Sequence, residues 1–332
     1  MKQLAVIGAG TWGTAWAVLA ARAGHQVKLW CRDREIVESI NSARCNPRYL
    51  STTAIPNTVY ATNSIAEAVA EAEIVLLATP SHAARQLMVL MKEQLTESMI
   101  VVSVAKGIEI DSGKRISEVV EEICGEFFFQ RFVCLSGPSF AKEVVERHPT
   151  AIVAASLDEQ ARHTVQRELS VENLRIYTNG DVVGTELGGS VKNVMAIAAG
   201  MTVGLGFGSN TLAALITRGL AELSRLTLSQ GGQLETLMGL AGLGDLVLTC
   251  TGSLSRNRFV GEELGKGRKL EEITANMNEV AEGIRTSRAV KQLSEQAGIE
   301  MPITNAVDAV LYEGKSAHDA VVDLMSRPLK SE

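Results

Sequence analysis

A single lysine stands inside a long apolar stretch in the second half of the chain. Lys192 is the only charged residue of Leu187–Leu205, and Asn193 follows it directly. Burial in apolar surroundings lowers the pKa of a lysine, which allows it to exchange protons near neutral pH. Lys192 is therefore a candidate proton donor and acceptor. The alternative is a lysine on the exposed edge of a helix, because charge-free neighbours do not prove burial.

An isolated acid and a polar helix start follow Lys192. Asp245 is the one acid in an apolar, glycine-containing run that ends at Thr249. Such an acid either caps a helix or pairs with a buried cation, and Lys192 is a suitable partner. Further on, the run Ser255-Arg256-Asn257-Arg258 precedes a predicted helix through Leu264. Its amides, dipole and arginine suit a phosphate, and the alternative is a solvated helix end.

A glycine-rich turn near the start of the chain predicts the element that would supply a cofactor to these groups. The apolar run Leu4–Ile7 leads into Gly8, Gly10 and Gly13, and a predicted helix follows as far as Ala23. When the motif G-x-G-x-x-G lies between a strand and a helix, its glycines allow a tight turn, a close approach of pyrophosphate and close packing of the helix. The pattern predicts dinucleotide binding. The alternatives are an ordinary turn and a signal peptide, whose apolar core the glycines and Arg22 would interrupt.

The residues after the second predicted strand bear on which dinucleotide binds. Val27–Trp30 is that strand, and the position of the acid that binds the ribose in NAD-specific proteins falls at Cys31. Arg32, Asp33 and Arg34 follow. Arginines in place of the acid favour a 2′-phosphate, so the sequence favours NADPH over NADH. The alternative is that Asp33 serves as the ribose acid while Arg32 is solvated.

Further buried strands define the fold class. Strand-like runs lie at Ile74–Ala78, Met99–Val104, Phe132–Leu135, Ala151–Ala155 and Leu174–Tyr177. Their alternation with helical stretches predicts an α/β, Rossmann-like, doubly wound and mostly parallel sheet. Lys106 follows the run Met99–Val104, at the sheet edge where such folds bind ligands, which predicts a functional lysine. The alternative is an ordinary surface lysine.

Strand signals stop near Gly184, and the rest of the chain is predicted to be all-α. We therefore expect a dinucleotide-binding domain over residues 1–185 and a helical substrate-binding and catalytic domain over residues 186–332. The charge-free stretch Asn193–Thr217 contains several glycines in its middle. It is predicted to form two buried helical segments joined by a turn, with no insertion into a membrane.

Composition narrows the class of protein. The chain has 332 residues, 46% of them hydrophobic, and a net charge of −6, which argues against nucleic-acid binding. Its five cysteines show no Cys-x-x-Cys pattern and its histidines no zinc motif, so no metal site is expected. Reduced, structural thiols predict a cytoplasmic protein.

Taken together, these motifs resemble the NAD(P)-dependent glycerol-3-phosphate dehydrogenases of the bacterial type, over essentially the full length. The matching stretches are Gly8–Gly13, Val104–Gly107, Leu135–Ala141, Leu187–Asn193, Gly242–Thr249, Ser255–Gly261 and Val280–Thr286. The departures are small: Thr11 stands where many relatives have serine, and Ala281 and Ile284 vary within the last stretch.

The resemblance implies a role for each matching residue. Lys192 would be the proton donor and acceptor, with Asp245, Asn193 and Thr249 completing the catalytic group. The implied substrate contacts are Lys106, Gly137, Ser139, Lys192, Asp245, Ser255, Arg256 and Asn257. The implied cofactor contacts, to NADPH or NADH, are Gly8, Gly10, Thr11, Trp12, Gly13, Arg32, Lys106, Ala141, Arg256, Val280 and Glu282.

The resemblance also implies a homodimeric enzyme that interconverts dihydroxyacetone phosphate and sn-glycerol 3-phosphate, the backbone of phospholipids. One alternative is a related two-domain dehydrogenase of a small hydroxy acid or ketopantoate, which would have no evident use for the Ser255–Asn257 helix start. Another is a non-catalytic NADP(H)-binding regulator, which would have no reason to place Lys192 and Asp245 beside the cofactor.

Overall fold

The first half of the chain forms one twisted sheet. In the computed structural model, which describes residues 1–275, 277, 279 and 281–329, eight strands form this sheet. They are β1 (Gln3–Ile7), β2 (Gln26–Trp30), β3 (Val59–Thr62), β4 (Ile74–Leu77), β5 (Ile100–Ser103), β6 (Val133–Ser136), β7 (Thr150–Ala155) and β8 (Leu174–Asn179). The strand β3 was not predicted from the sequence, because it is short and follows a connection rich in turn residues.

The strand order identifies a doubly wound sheet. The order is β3-β2-β1-β4-β5-β6-β7-β8, and all neighbouring pairs are parallel except the antiparallel pair β6–β7. The direction of the winding reverses between β1 and β4, where ligands bind in folds of this kind. The predicted Rossmann-like sheet is therefore confirmed.

Helices cover both faces of the sheet and form the second half of the molecule. In the first half they are α1 (Thr11–Arg22), α2 (Arg34–Ala43), α3 (Ile65–Val69), α4 (Ser81–Met91), α5 (Ile116–Cys124), α6 (Glu126–Arg131), α7 (Ala141–Val145) and α8 (Glu159–Leu169). The second half contains α9 (Val182–Gly204), α10 (Ser209–Ser229), α11 (Leu234–Leu237), α12 (Asp245–Thr251), α13 (Arg256–Gly265), α14 (Leu270–Ala275), α15 (Glu282–Gln296), α16 (Pro302–Tyr312) and α17 (Ala317–Met325). The described residues beyond β8 contain no strand, so the all-α second half is confirmed.

Alternation along the first strand shows why the sheet is buried on both faces. Leu4 and Val6 pack into the apolar cluster on one face, and Ala5 and Ile7 into the cluster on the other. Successive side chains of a strand point to opposite faces, so a strand covered on both sides must be apolar throughout. A third apolar cluster surrounds α9 and is the core of the helical half.

The glycine-rich turn connects β1 to α1 in the way its spacing predicts. Gly8 has a φ of +112°, a conformation that favours glycine. A Cβ atom at Gly13 would overlap the carbonyl oxygen of Gly8, so only glycine allows the helix to lie this close to the turn. At Gly10 a Cβ atom would meet nothing within 4 Å. The turn therefore has open space in front of its second glycine.

The stretch Asn193–Thr217 is only partly as predicted. It does form two helices with a turn between them, and α9 is buried from Val191 through Thr202. In α10, however, Ser209–Arg218 is exposed or half-exposed, so the predicted burial of the second segment was wrong. A helix needs to bury only one face, and the absence of charge does not distinguish one buried face from two. No helix in the described ranges is both long and apolar enough to cross a membrane.

Glycines also allow the two central helices of the second half to pack closely. A Cβ atom at Gly200 in α9 would overlap the backbone of Arg258, and one at Gly261 in α13 would overlap the carbonyl oxygen of Ile197. The backbones of α9 and α13 therefore touch. This contact brings Lys192 and Asn193 on α9 to the same region as the start of α13.

We predict that Gly261→Ala destabilises the protein by about 1–3 kcal/mol, because the added methyl group must push α13 away from α9. The measurement is the free energy of unfolding by chemical denaturation. Gly180→Ala is the matched control, since Gly180 is exposed and a Cβ atom there meets nothing within 4 Å. Equal stability of the two variants would contradict the close packing of α9 and α13.

Candidate active site

One cleft joins the glycine-rich turn to the apolar lysine. It has a volume of about 880 Å³ and is lined by the turn, by the residues after β2, β4 and β5, and by parts of α9, α12 and α13. Gly8 and Arg32 lie in the part of the cleft formed by the sheet, and Lys192, Asp245 and Arg256 in the part formed by the helices. A dinucleotide at the turn would thus share the cleft with the proton-exchanging candidates.

Asp245 holds two lysines at the centre of the cleft. Its Oδ1 accepts a hydrogen bond from Lys192 Nζ at 2.6 Å, and its Oδ2 accepts one from Lys106 Nζ at 2.7 Å. Lys192 Nζ also donates to Thr249 Oγ1 at 2.8 Å, and Lys106 Nζ to the carbonyl oxygen of Gly137 at 3.0 Å. The expected Lys192–Asp245 pair is present, whereas the sequence contained no signal for the second lysine at the same carboxylate.

The local structure explains why these side chains converge. Asp245 is the first residue of α12, directly after a π-helical turn at Leu240–Gly244. Thr249 lies four residues later, on the same helix face, and its hydroxyl donates to the carbonyl oxygen of Asp245 at 2.6 Å. Lys106 arrives from the loop after β5, at the carboxyl edge of the sheet. The site therefore contains groups from both halves of the molecule.

Burial sets the protonation behaviour of the pair. Burial lowers the pKa of Lys192 to about 8, because desolvation and the nearby charge of Lys106 outweigh the attraction of Asp245. Burial alone would raise the pKa of Asp245, but the two lysines together lower it below its usual value. Asp245 is therefore a carboxylate near neutral pH, and Lys192 can gain and lose a proton in that range.

A chain of amides connects this centre to α13 and α15. Asn193 Nδ2 donates to the carbonyl oxygen of Lys106 at 3.0 Å, and its Oδ1 accepts from Asn257 Nδ2 at 2.9 Å. Asn257 Oδ1 in turn accepts from the backbone amide of Gly283 at 2.9 Å. Asn193 and Asn257 are both buried. They hold the backbone of Lys106 and the starts of two helices in a fixed relation.

The start of α13 carries the predicted anion-binding group. Ser255 caps the helix, and its hydroxyl accepts a hydrogen bond from the amide of Arg258 at 3.2 Å. Arg256 Nη1 forms an ion pair with Glu279 Oε2 at 2.5 Å, and Glu279 also accepts a hydrogen bond from the hydroxyl of Thr11. Glu279 was not singled out in the sequence, because nothing local relates it to either partner.

Most of the predicted cofactor contacts line the cleft. Those on the cleft wall are Gly8, Gly10, Thr11, Trp12, Arg32, Lys106, Arg256 and Glu282. Gly13 and Ala141 lie behind this wall, where Ala141 is buried beside Val145 and against Trp12. Val280 lies outside the described residues. The helix α1 begins without a side-chain cap, so its first amides remain available to an anion.

The predicted substrate contacts also meet in the cleft. Its wall includes Lys106, Ser139, Lys192, Asp245, Ser255, Arg256 and Asn257. Gly137 contributes its carbonyl oxygen, which accepts from Lys106 and from the hydroxyl of Ser139 at 3.0 Å each.

Glu282 is a half-buried carboxylate on the cleft wall. Its Oε2 accepts a hydrogen bond from the hydroxyl of Ser81 at 2.7 Å. Burial raises the pKa of Glu282, although this hydrogen bond and the charge of Arg256 act to lower it. A Cβ atom at Gly107 would overlap the Ser81 hydroxyl and lie 2.8 Å from Glu282, so a glycine is required there.

Among the residues that the structure describes, no group of histidine, cysteine, aspartate or glutamate side chains could hold a metal ion. The open space before Gly10, the overlap that excludes a side chain at Gly13 and the uncapped start of α1 fit a pyrophosphate.

Comparison with known proteins identifies relatives over the whole chain. One family model, NAD-dependent glycerol-3-phosphate dehydrogenase N-terminus, matches residues 3–162, and the corresponding C-terminus model matches residues 181–322. A protein named glycerol-3-phosphate dehydrogenase [NAD(P)+] from Koribacter versatilis is 54% identical, covering 100% of this chain and 99% of its own. One of the same name from Myxococcus xanthus is 49% identical over 98% of each chain.

Solved structures agree with these relatives. The crystal structure of glycerol-3-phosphate dehydrogenase from Coxiella burnetii matches with a TM-score of 0.94 and 38% identity, covering 98% of this chain and 99% of that one. A ketopantoate reductase from Ralstonia eutropha, at 16% identity and a TM-score of 0.62 over 96% and 99% of the two chains, shares the fold alone. The lysine–aspartate centre, the glycine-rich turn and these matches lead to one conclusion: this chain belongs to the NAD-dependent glycerol-3-phosphate dehydrogenase family.

Proposed function

We propose that the chain interconverts dihydroxyacetone phosphate and sn-glycerol 3-phosphate with NAD(P)H, in the reversible reaction that supplies the backbone of glycerophospholipids. The observation that carries this proposal is the Lys192–Asp245–Lys106 cluster, in which Lys192 and Asp245 are buried and which shares a cleft with the glycine-rich turn. Full-length relatives named glycerol-3-phosphate dehydrogenase [NAD(P)+] support it. NAD(P)H binding and oxidoreductase chemistry follow from membership of the family.

A nicotinamide dinucleotide held at the turn of Gly8, Gly10 and Gly13 would supply the hydride for the C2 carbonyl carbon of the substrate. Lys192, as an ammonium ion, gives a proton from Nζ to the oxygen that becomes the C2 hydroxyl, and it takes the proton back in the reverse direction. Asp245 and Thr249 orient Nζ, because each accepts a hydrogen bond from it. Lys106 adds a positive charge beside the developing alkoxide, which stabilises it in a water-poor site. Asn193 keeps the backbone of Lys106 in place.

The phosphate of the substrate binds away from the reacting carbon. Ser255, Arg256 and Asn257, at the start of α13, provide backbone amides, a helix dipole and a guanidinium group. Gly137 and Ser139 complete the pocket from the loop after β6. Binding energy at the phosphate thereby orients the carbonyl toward Lys192.

We further propose the finer assignments that the sequence and the resemblance predict. Arg32, exposed on the cleft wall, favours NADPH over NADH. The division into residues 1–185 and 186–332 assigns the cofactor to the first domain and the substrate to the second, with α9 crossing the boundary. The five free cysteines support a reducing, cytoplasmic location. Exposed apolar side chains in the helical half, such as Met238 and Leu228, support a homodimer.

We predict that Lys192→Ala lowers kcat for dihydroxyacetone phosphate reduction about 10²–10⁴-fold, because the general acid is removed. The variant should fold and bind NADPH, since Asp245 keeps Lys106 as a partner. Steady-state kinetics and calorimetric titration of NADPH measure the two properties. Lys142→Ala, at an exposed lysine, is the matched control. Near-normal turnover by Lys192→Ala would rule out its role.

We predict opposite pH dependences for the two directions of the reaction. Reduction needs the ammonium form of Lys192, whose pKa is lowered to about 8, so kcat for reduction should fall as the pH rises above this value. Oxidation of sn-glycerol 3-phosphate needs the neutral amine, so its kcat should rise over the same range. The residual activity of Lys192→Ala should not change with pH over this range in either direction of the reaction. A profile that Lys192→Ala leaves unchanged would contradict the assignment.

We predict that Arg256→Ala raises the KM for dihydroxyacetone phosphate about tenfold or more, because a charge-assisted hydrogen bond to phosphate is lost. Activity on unphosphorylated dihydroxyacetone should change little. The ratio of kcat/KM for the phosphorylated ketone to that for the unphosphorylated ketone should therefore fall. Arg268→Ala serves as the control, since this arginine pairs with Glu263 at the far end of α13. An unchanged preference in Arg256→Ala would refute the phosphate assignment.

A further inference from the structure

A second arginine lies where the sheet part of the cleft ends. The cleft wall after β2 contains Arg32 and Asp33, and the connection between α2 and β3 adds Arg48 to the same wall. The positive charges of Arg32 and Arg48 both act on the Cys31 thiol, whose pKa is raised mainly by burial. The two guanidinium groups therefore lie close to the end of β2, where the adenosine ribose of a dinucleotide binds.

Asp33, the acid next to these arginines, already has partners within the protein. Asp33 caps α2, and its Oδ1 accepts a hydrogen bond from the amide of Glu35 at 3.0 Å. Its Oδ2 forms an ion pair with Arg48 Nη2 at 3.1 Å. Both oxygens of Asp33 thus have partners within the protein. The Glu35 amide holds this carboxylate at the start of α2, and Arg48 balances its charge.

Arg48 is fixed to the cofactor-binding turn through its backbone. The neighbouring Asn46 is fully buried, and its Oδ1 accepts hydrogen bonds from the amides of Arg48 at 3.2 Å and Tyr49 at 3.1 Å. Its Nδ2 donates to the carbonyl oxygen of Ala9 at 3.0 Å and to Thr14 Oγ1 at 2.9 Å. Asn46 therefore joins the segment that carries Arg48 to the glycine-rich turn and to α1.

The charges at this end of the cleft fit a phosphate better than a hydroxyl pair. Arg32, Arg48 and Asp33 together carry one net positive charge. The side chain of Arg48 is 52% exposed, and contacts among the described residues engage only its Nη2. A guanidinium group has five N–H donors in a fixed plane, so it can keep Asp33 and bind a phosphate at the same time.

We propose that Arg48 is a specificity-determining residue that, with Arg32, selects a dinucleotide bearing an adenosine 2′-phosphate, while Asp33 is withheld from the ribose. This inference rests on the proposed preference for NADPH and names a second residue responsible for it. Asn46 is the positioning residue that holds the segment of Arg48 beside the glycine-rich turn.

The test measures binding of two cofactor fragments by calorimetry, without turnover. Adenosine 2′,5′-bisphosphate carries the 2′-phosphate, and adenosine 5′-monophosphate lacks it. We expect Arg48→Gln to reduce the preference for the bisphosphate about tenfold and to leave binding of the monophosphate within about twofold. Arg34→Gln, an equal change of charge at an exposed arginine outside the cleft wall, should keep the wild-type preference. An unchanged preference in Arg48→Gln would overturn the inference.

A second variant tests whether Asp33 is kept from the ribose. Asp33→Asn keeps a helix-capping side chain but removes the charge, so we expect tighter binding of the bisphosphate and unchanged binding of the monophosphate. Weaker binding of the monophosphate would show that Asp33 binds the ribose and would overturn the inference.

Arg32→Gln separates this inference from the proposed NADPH preference. Loss of the bisphosphate preference in Arg32→Gln but not in Arg48→Gln would overturn the role of Arg48 alone. A wild-type protein that binds both fragments equally would overturn the NADPH preference together with the inference.

Discussion

The burial of the Asp245 carboxylate between two lysines is the constraint on which the rest of the site depends. An unpaired lysine or carboxylate inside a protein costs several kcal/mol, so Lys192 depends on Asp245, and Asp245 depends on having at least one lysine beside it. Lys106 comes from the sheet, Lys192 from α9 and Asp245 from α12. The Lys192–Asp245 pair lies within the helical half, whereas the Lys106–Asp245 pair can form only when the two halves of the molecule meet, so Asp245 links the two walls of the cleft.

Close backbone packing makes this meeting possible. Gly13 brings α1 against the turn, and Gly200 and Gly261 bring α13 against α9. Where a side chain would separate two elements, a glycine lets polar groups from each reach the same point. The amide chain from Lys106 through Asn193 and Asn257 to Gly283 uses this proximity, since each of its bonds joins residues far apart in the sequence.

The two proposed phosphate sites, at Arg256 and at Arg48, share one arrangement. At one end the start of α13 presents Arg256, which is paired with Glu279, and at the other Arg48 is paired with Asp33. In both places a carboxylate of the protein balances an arginine on the cleft wall. A phosphate ligand can share or take over such an arginine, because guanidinium groups bind two acceptors in one plane.

The sequence alone determined the features that depend on short-range patterns. Glycine spacing specified the turn, apolar runs specified most of the strands, and the single charge in an apolar stretch identified Lys192, which is buried and paired with Asp245. The tertiary structure decided which distant residues meet. Lys106 and Asp245 are 139 residues apart, Thr11 and Glu279 are 268 apart, and no local pattern relates either pair. Likewise the exposure of α10 depends on which elements cover it. These contacts are decided by the fold as a whole, because every buried charge must find a partner and every apolar face must be covered.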